Sequence, residues 1–355
     1  MNRRKFISIS YAAGMAIGTR NIIPGPASIL VRDEAFIMTV TGKINTANTG
    51  IFLPHEHIVP DFAGAETGIQ PRYDRLSAFK TFLPYLEAVK ESGVDVFVDC
   101  TPAYIGRDVI LLKQLSEATG LHIVSNTGYY AAAGLKFLPR HAYSESSQQL
   151  AGRWIKEWDE GIEGTGIRPG FIKLGVDGGP LKPVQQKLIE AAAQTHLSSG
   201  MKIAIHNGNA TAVEEELRIL LKNGVDARAF IWVHSQNDAD GKTRIELAKK
   251  GCWISLDGIN QTDASVKTFC GSIQALKREG LLDRILLSHD DGFAVENNGV
   301  KATFNPYQNG NVQPYRSLFS QLKPALLNGI LTADEFASIT IANPAKAFRI
   351  EVCRG

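Results

Sequence analysis

Short apolar runs alternate with longer amphipathic stretches along most of this chain. The apolar runs are continuously hydrophobic, as expected of parallel strands that are buried on both faces. Eight of them are predicted strands, at 50–53, 94–99, 122–126, 171–176, 202–205, 230–233, 253–256 and 284–288. The stretches between them have the apolar periodicity of helices, and most are followed by glycine, a common residue just past a helix C-terminus.

This strict alternation of strand and helix predicts parallel pairing with right-handed crossovers. Eight such units that close on themselves form an α/β fold, the (β/α)8 TIM barrel, predicted here as a single domain over residues 28–355. The alternative is an open, doubly wound sheet, which normally has fewer strands and a Gly-x-Gly-x-x-Gly turn that this chain lacks after its first strand. A strand at 36–40 is a short lead-in. Helices at 315–327, after 332 and at 343–348 complete the C-terminus.

Polar side chains lie at the ends of several predicted strands. In (β/α)8 barrels the C-terminal strand ends meet at one face, where active sites form. The polar residues at these positions are His55, His57, Lys173, His206, His234 and Asp290. Residues two apart on a strand share a face, so His55 and His57 project together, and neutral imidazole is a good metal ligand. The six residues together predict a metal site.

Lys173 lies in the middle of an apolar strand. A buried ammonium is costly unless it is neutralised or paired. A neutral lysine amine can react with carbon dioxide to give a carbamate, an anion that is able to bridge two metal ions. The alternative is a lysine that reaches solvent or pairs with an acid such as Asp177.

Composition argues against several classes of function. The chain has 355 residues and a formal net charge of +2, with acidic and basic residues interspersed. It has no basic tract of the kind that binds nucleic acid, so no nucleic-acid partner is expected. The four cysteines lack metal-site spacing and are expected to be buried thiols, with a disulfide as the alternative. No stretch is long and apolar enough for stable membrane insertion.

The N-terminus differs from the rest of the chain. Arg3 and Arg4 precede Phe6 and a mildly apolar run at 7–18. This pattern is typical of a twin-arginine export signal. Residues 1–27 are therefore predicted to be a cleaved signal, and the protein is predicted to be periplasmic. A disordered basic tail is the alternative, and prolines leave the cleavage site open.

The motifs resemble those of the phosphotriesterase family of the amidohydrolase superfamily. The resemblance covers 36–348 and rests on Thr41-Gly42, Leu53-Pro54-His55-Glu56-His57, Gly170-Phe-Ile-Lys173, His206, Val233-His234 and Leu287-Ser288-His289-Asp290, in that order. It implies two divalent metal ions, usually zinc, although ligand type also allows manganese, cobalt or iron. By this resemblance His55, His57 and Asp290 hold the more buried ion, and His206 and His234 hold the more exposed one. Carbamylated Lys173 and a hydroxide bridge the two.

The resemblance further implies a hydrolase that acts on a small-molecule substrate. The metal-bridging hydroxide attacks an ester-type centre, either a lactone or carboxyl ester or a phosphoric ester, and Asp290 serves as the general base. The alternative is an exported metal-binding barrel without catalytic activity, which the complete ligand set disfavours. Relatives are often dimers, so a homodimer is one expectation for the oligomeric state.

Two positions bear on the substrate. Tyr130 matches a tyrosine that contacts the reaction centre in the lactonase branch of the family, where phosphotriesterase proper has a tryptophan. This favours a lactone or carboxyl ester, unless Tyr130 only lines the pocket. Gly258 lies where well-studied members have a histidine or arginine that helps the substrate or the proton shuttle. Arg107, Arg140 and Tyr129 are candidates for that role, and nothing in the sequence selects one.

Overall fold

The computed structural model of the protein describes residues 35–351 except 208, 298, 300 and 308–312. The predicted export signal at 1–27 lies outside the described residues. Within the described ranges, no helix combines the length and the apolar character needed to cross a membrane.

The described chain opens with a small antiparallel hairpin. Its strands are β1 (Phe36–Thr39) and β2 (Gly42–Asn45). Ile37 of β1 belongs to the same buried cluster as Phe348 near the C-terminus, and the Phe348 ring packs against Phe171, the first residue of a barrel strand. The hairpin and the C-terminal segment therefore close the N-terminal end of the barrel.

The barrel strands are short, apolar and almost entirely buried. They are β3 (Ile51–Glu56), β4 (Val94–Asp99), β5 (His122–Val124), β6 (Asn126–Thr127), β7 (Tyr130–Ala131), β8 (Phe171–Val176), β9 (Ile203–His206), β10 (Phe230–Val233), β11 (Trp253–Leu256) and β12 (Ile285–Leu287). All eight predicted strands are present. The third is divided into β5 and β6 at Ser125, and the first extends further than predicted, because it includes Pro54 and His55.

The parallel pairing follows chain order around the barrel. Strands β3, β4 and β5 pair in sequence, and β6, β8, β9, β10, β11 and β12 pair in sequence. Ser125 joins the two sets, since its carbonyl accepts a hydrogen bond from the Gly170 N–H at 2.7 Å. The ring closes where the Asp290 N–H donates to the His55 carbonyl at 3.1 Å. The predicted (β/α)8 barrel is thus confirmed.

Helices surround the barrel; most lie between successive strands, and the last three follow the final strand of the chain. They are α1 (Arg75–Glu91), α2 (Val109–Thr119), α3 (His141–Ser144), α4 (Ser147–Glu160), α5 (Pro183–Ser199), α6 (Ala210–Lys222), α7 (Lys242–Lys249), α8 (Asp263–Arg278), α9 (Lys323–Leu327), α10 (Ala333–Ala337) and α11 (Asn343–Phe348). The helix predicted after 332 is α10, which begins with a capping box formed by Thr332 and Glu335. The helix predicted over 315–327 is shorter, because π-helical turns at Leu318–Leu322 precede α9.

Side chains alternate between two apolar cores along each strand. One core fills the barrel interior and includes Phe52, Val96 and Phe171. The other lies between strands and helices and includes Ile172 and Leu174. Because strand residues two apart share a face, Lys173 lies on the same interior face as Phe171. This alternation directs the lysine into the barrel.

The sequence pattern did not predict the hairpin that follows the last barrel strand. Strand β13 (Gly292–Asn297) pairs antiparallel with β14 (Ala302–Tyr307). The Phe293 ring of β13 packs against Phe82 of α1 at 5.2 Å, centroid to centroid. Glycine and asparagine mask the alternation here, and Pro306 lies within β14, where proline is uncommon unless the strand is at an edge.

Candidate metal centre

A cavity of about 590 Å³ opens at the C-terminal ends of the barrel strands. All seven residues that the sequence proposes for the site line it: His55, His57, Tyr130, Lys173, His206, His234 and Asp290. They come from strands or strand ends spread around the barrel, which is why residues so distant in sequence can meet. Apolar side chains form part of the wall, among them Phe62, Ile105 and Phe137.

The tightest group in this cavity is His55, His57 and Asp290. Asp290 Oδ1 lies 3.1 Å from His57 Nε2 and 3.4 Å from His55 Nε2. One donor atom from each residue lies within 4.8 Å of the others, a spacing that could hold a metal ion. Asp290 has a φ of 59°, a left-handed backbone conformation that is unfavourable for a non-glycine residue.

His206 and His234 form a second group beside the first. Their ring centroids are 4.4 Å apart, and the His234 ring is 5.1 Å from that of His55. His234 also has a left-handed backbone, with a φ of 62°. Such strain costs about 1–3 kcal/mol and is concentrated at functional sites. Among the six candidate ligands, His234 and Asp290 are the two with a left-handed backbone.

Asp257 holds two of these histidines at once. Its Oδ2 accepts a hydrogen bond from His55 Nδ1 at 2.9 Å, and its Oδ1 accepts one from His234 Nδ1 at 2.5 Å. The side chain is fully buried, and Ser255 donates a further hydrogen bond to it at 2.6 Å. Burial would raise the pKa of this carboxyl, but His234 and His55 hold it well below its usual range.

The sequence-based site omits Asp257, although the signal for it was present. The residue directly follows β11, so it occupies a C-terminal strand end like the predicted ligands. His57 has a different partner, since its Nδ1 is hydrogen-bonded to Thr101 Oγ1 at 2.9 Å. These contacts occupy Nδ1 of three histidines and direct Nε2 of each towards Asp290, the orientation in which Nε2 can serve as a metal ligand.

The electrostatics of the site favour neutral imidazoles at His55 and His206 beside an anionic Asp290, whereas burial would lower the pKa of His234 but Asp257 raises it. Burial, reinforced by Lys173, lowers the pKa of His55 to about 4. Burial and the neighbouring His234 also lower the pKa of His206 well below its ordinary value. Burial would raise the pKa of Asp290, but His55, His234 and His57 hold it far below its usual range. Neutral imidazole and carboxylate are the protonation states that bind divalent cations.

Lys173 is buried in the barrel and lines the cavity, with only 1% of its surface exposed. It therefore does not reach solvent. Asp177 is paired instead with Lys182, whose Nζ lies 3.1 Å from Asp177 Oδ2. The backbone of Gly128 passes so close that a Cβ there would lie 2.3 Å from the Lys173 carbonyl oxygen. The turn between β6 and β7 thus packs tightly on the backbone of Lys173, and only glycine fits at 128.

Tyr130 lies beside the second group of donors. Its ring is 5.1 Å from that of His206, and a Cβ at Gly175 would come within 2.3 Å of it. Gly175 therefore leaves the space in which the tyrosine ring lies. Burial, reinforced by Asp290, raises the pKa of the Tyr130 hydroxyl, which keeps it protonated and able to donate a hydrogen bond.

Four buried residues next to the candidate ligands, namely Ser235, Ser288, His289 and Asp291, make their hydrogen bonds outside the cavity. Ser235 donates to the Ser255 carbonyl at 2.7 Å, and Ser288 donates to Glu56 at 2.6 Å. His289 and Asp291 are buried and bond to Glu56 through the His289 side chain and both backbone N–H groups. None of these four side chains is among the described residues that line the cavity.

Gly258 cannot supply the histidine or arginine function of well-studied family members, and three residues are candidates to replace it. None of them, Arg107, Arg140 or Tyr129, lines the cavity. Arg107 is paired with Glu157 and Glu163, and the Tyr129 hydroxyl is bonded to His141. Arg140 is highly exposed and pairs with Glu66. Gly258 itself lines the cavity, and its φ of 104° is unfavourable for any side chain.

Comparison with known proteins relates this chain to one family and to several hydrolases. The model of the phosphotriesterase family matches residues 35–348. An aryldialkylphosphatase of Saccharolobus solfataricus is 27% identical, with 86% of this chain and 97% of that protein covered. Human N-acetyltaurine hydrolase is 27% identical, with coverage of 72% and 83% respectively. A solved structure concerns organophosphate hydrolysis engineered from a weak promiscuous lactonase template. It has a TM-score of 0.76 and 26% identity, with coverage of 88% of this chain and 99% of that one.

Proposed function

The chain belongs to the phosphotriesterase family, and from this premise we propose that it is a binuclear metal-dependent hydrolase of ester-type bonds. The observation that carries the proposal is the convergence of donor atoms on one cavity. His55, His57 and Asp290 come within 4.8 Å of one another, and His206, His234 and Lys173 line the same space.

The donor set fits two divalent ions, for which zinc is the first candidate. His55, His57 and Asp290 would hold one ion, and His206 and His234 would hold the other. Nitrogen and carboxylate ligands suit zinc and its neighbours. Lys173 would complete the set after its amine adds to carbon dioxide, which forms an N–C bond and releases a proton. The resulting carbamate is an anion suited to bridge the two sites.

Each protein group has a separate role in the proposed reaction. When bound, the two ions would lower the pKa of water and polarise the oxygen of the scissile group. Asp290, whose carboxylate is ionised, would accept the proton of the attacking water. Asp257 and Thr101 would keep the imidazoles oriented through their Nδ1 atoms. Tyr130 would donate a hydrogen bond to the reacting group of the substrate.

A lactone or carboxyl ester is the substrate class that we favour. Tyr130 supports it through its place beside His206, and one structural neighbour derives from a lactonase template. The names of the relatives also include a phosphatase and an amide hydrolase, so phosphoric esters are the second class. The apolar wall formed by Phe62, Ile105 and Phe137 suits a substrate with an apolar substituent.

The deciding experiment measures the metal content of purified protein and then screens lactones against aryl phosphotriesters with the metal-loaded form. We expect about two ions per chain and faster lactone hydrolysis. Substitution of Asp290→Asn should remove hydrolysis of every substrate found. A protein that binds metal but hydrolyses neither class would favour the non-catalytic barrel, and hydrolysis at full rate by Asp290→Asn would exclude its role as general base.

We also propose export to the periplasm through the twin-arginine signal at the N-terminus. Replacing Arg3 and Arg4 together by lysine should retain the protein in the cytoplasm, as measured by cell fractionation.

Size-exclusion chromatography with light scattering tests the expected homodimer.

A further inference from the structure

Glu56, the middle residue of the His-Glu-His stretch, has its side chain on the opposite side of the strand from the two histidines. It does not line the cavity and is fully buried. Its carboxylate accepts four hydrogen bonds. Oε1 accepts from Ser288 Oγ at 2.6 Å, from His289 N at 2.9 Å and from His289 Nδ1 at 2.6 Å, and Oε2 accepts from Asp291 N at 2.9 Å. All four donors come from one segment on the far side of the barrel seam.

These hydrogen bonds enclose Asp290. The residue before it and the residue after it both donate backbone N–H groups to Glu56. The backbone completes the connection, because Asp290 N donates to the His55 carbonyl at 3.1 Å and His57 N donates to the Asp291 carbonyl at 2.8 Å. His55 N also donates to Ser288 Oγ at 3.0 Å. The segments that carry His55, His57 and Asp290 are therefore joined around one carboxylate.

His289 and Asp291 also form hydrogen bonds with the segment that contains Tyr315 and Leu318. His289 Nε2 accepts a hydrogen bond from Leu318 N at 2.9 Å, so the ring donates to Glu56 through Nδ1 and accepts through Nε2. Asp291 Oδ2 accepts from Tyr315 N at 2.8 Å, and the Tyr315 hydroxyl donates to the His57 carbonyl at 2.6 Å. The chain that returns after the β13–β14 hairpin is thus bonded to the same unit.

We propose that Glu56 is a positioning residue that sets the spacing of His55, His57 and Asp290 for metal binding. The inference rests on the proposed function, since it assumes that these three residues hold a divalent ion. A carboxylate is required because four donors converge on its two oxygens. A glutamine has one acceptor oxygen, and its NH2 group would face either the Asp291 N–H or the N–H donors of His289.

The physical reason is that Asp290 and the two histidines come from opposite ends of the chain. The distance from each donor atom to the shared ion must be correct to within a few tenths of an ångström. Regular strand pairing does not fix the position of β3 relative to β12, because, among the described residues, these two strands are joined only by the hydrogen bonds described above. Groups that orient metal ligands typically contribute 10–100-fold to metal affinity without touching the ion.

The test compares Glu56→Gln with Glu216→Gln. Glu216 is a suitable control because it is also a fully buried glutamate near a proposed ligand, with its carboxylate bonded to Asn207, the residue after His206. The readout is the dissociation constant of Zn²⁺ for metal-free protein, measured by competition with a chromophoric chelator. Circular dichroism confirms that each variant is folded.

We expect zinc binding to weaken about 10–100-fold in Glu56→Gln and to change less than about twofold in Glu216→Gln. Folded Glu56→Gln with the wild-type dissociation constant would overturn the inference, and so would equal weakening in both variants. The wild-type measurement separates the two proposals, because a wild-type protein that does not bind zinc refutes the proposed function itself.

A second pair of variants applies if Glu56→Gln does not fold. Ser288→Ala removes one donor to Glu56 and the acceptor of His55 N, whereas Ser235→Ala removes a buried hydroxyl that also adjoins a proposed ligand but bonds to Ser255. We expect several-fold weaker zinc binding in Ser288→Ala than in Ser235→Ala. Equal dissociation constants in the two variants would overturn the inference.

Discussion

Asp257 Oδ1 lies 2.5 Å from Nδ1 of His234, a short hydrogen bond between two side chains that follow adjacent strands of the barrel. The other oxygen of the same carboxylate accepts from His55 at 2.9 Å. In the proposed site His55 and His234 would hold different ions. One buried carboxylate therefore orients a ligand of each proposed metal site.

Substitution of Asp257→Asn should weaken binding of both ions. Asparagine retains one acceptor oxygen and presents an NH2 group to the other imidazole, which disfavours the tautomer that leaves Nε2 free. We expect zinc affinity to fall about 10–100-fold, measured by chelator competition. Asp238→Asn is the control, since its buried carboxylate accepts a hydrogen bond from the Arg244 backbone N–H. Wild-type affinity in Asp257→Asn would contradict the assigned role.

Substitution of Lys173→Ala tests the proposed carbamate. It should lower hydrolysis about a hundredfold or more, since the bridging anion would be lost. Because alanine leaves space in the buried site, added acetate or propionate should restore part of the activity. Lys173→Met fills the same space with an apolar chain, so short carboxylates should not rescue it. Activity of Lys173→Ala that needs no added carboxylate would exclude a bridging carbamate.

Removal of the Tyr130 hydroxyl tests its role in substrate choice. We expect Tyr130→Phe to lower kcat for lactones about tenfold, the effect of one lost hydrogen bond to the reacting group. Phosphotriester hydrolysis should change less than about twofold. Tyr129→Phe is the matched control, because the Tyr129 hydroxyl bonds to His141 outside the cavity. Equal effects on both substrate classes would contradict a role of Tyr130 in substrate choice, and no effect on either would make it a lining residue.

The buried carboxyl of Glu216 should make stability depend on pH. Burial raises its pKa well above the ordinary value of 4.5, and Glu216 Oε1 lacks a partner among the described residues. Above pH 4.5 the unfolded chain loses this proton more readily than the folded protein does. The folded state then binds more protons, so this group makes stability fall as pH rises.

Glu216→Gln should remove that dependence. Its Tm relative to wild type should rise between pH 5 and pH 8, as measured by differential scanning calorimetry. Glu335→Gln should show no change of relative Tm over that range, since Lys277 lowers the pKa of Glu335 and the group stays charged in both states. A constant difference between Glu216→Gln and wild type would show that Glu216 ionises normally.

Sequence pattern alone identified the barrel and most of the candidate site. Both follow from local periodicity, because apolar runs mark the strands and a strand-end position places His206 or His234 on a known face of the fold. Lys173 is recognisable for the same reason, as a cation at an interior strand position. The hairpin of β13 and β14 could not be predicted, since its glycine and asparagine residues carry no clear alternation.

The amino-acid sequence by itself determined the order of the strands, the polar residues at their ends and hence the kind of chemistry available. The tertiary structure decided which groups meet. Asp257 bonds to His55 across a sequence separation of 202 residues, and Glu56 bonds to Ser288 across 232. No local pattern encodes such pairs, because their distances depend on how the whole barrel closes and packs. The geometry of the metal ligands is therefore a property of the closed fold.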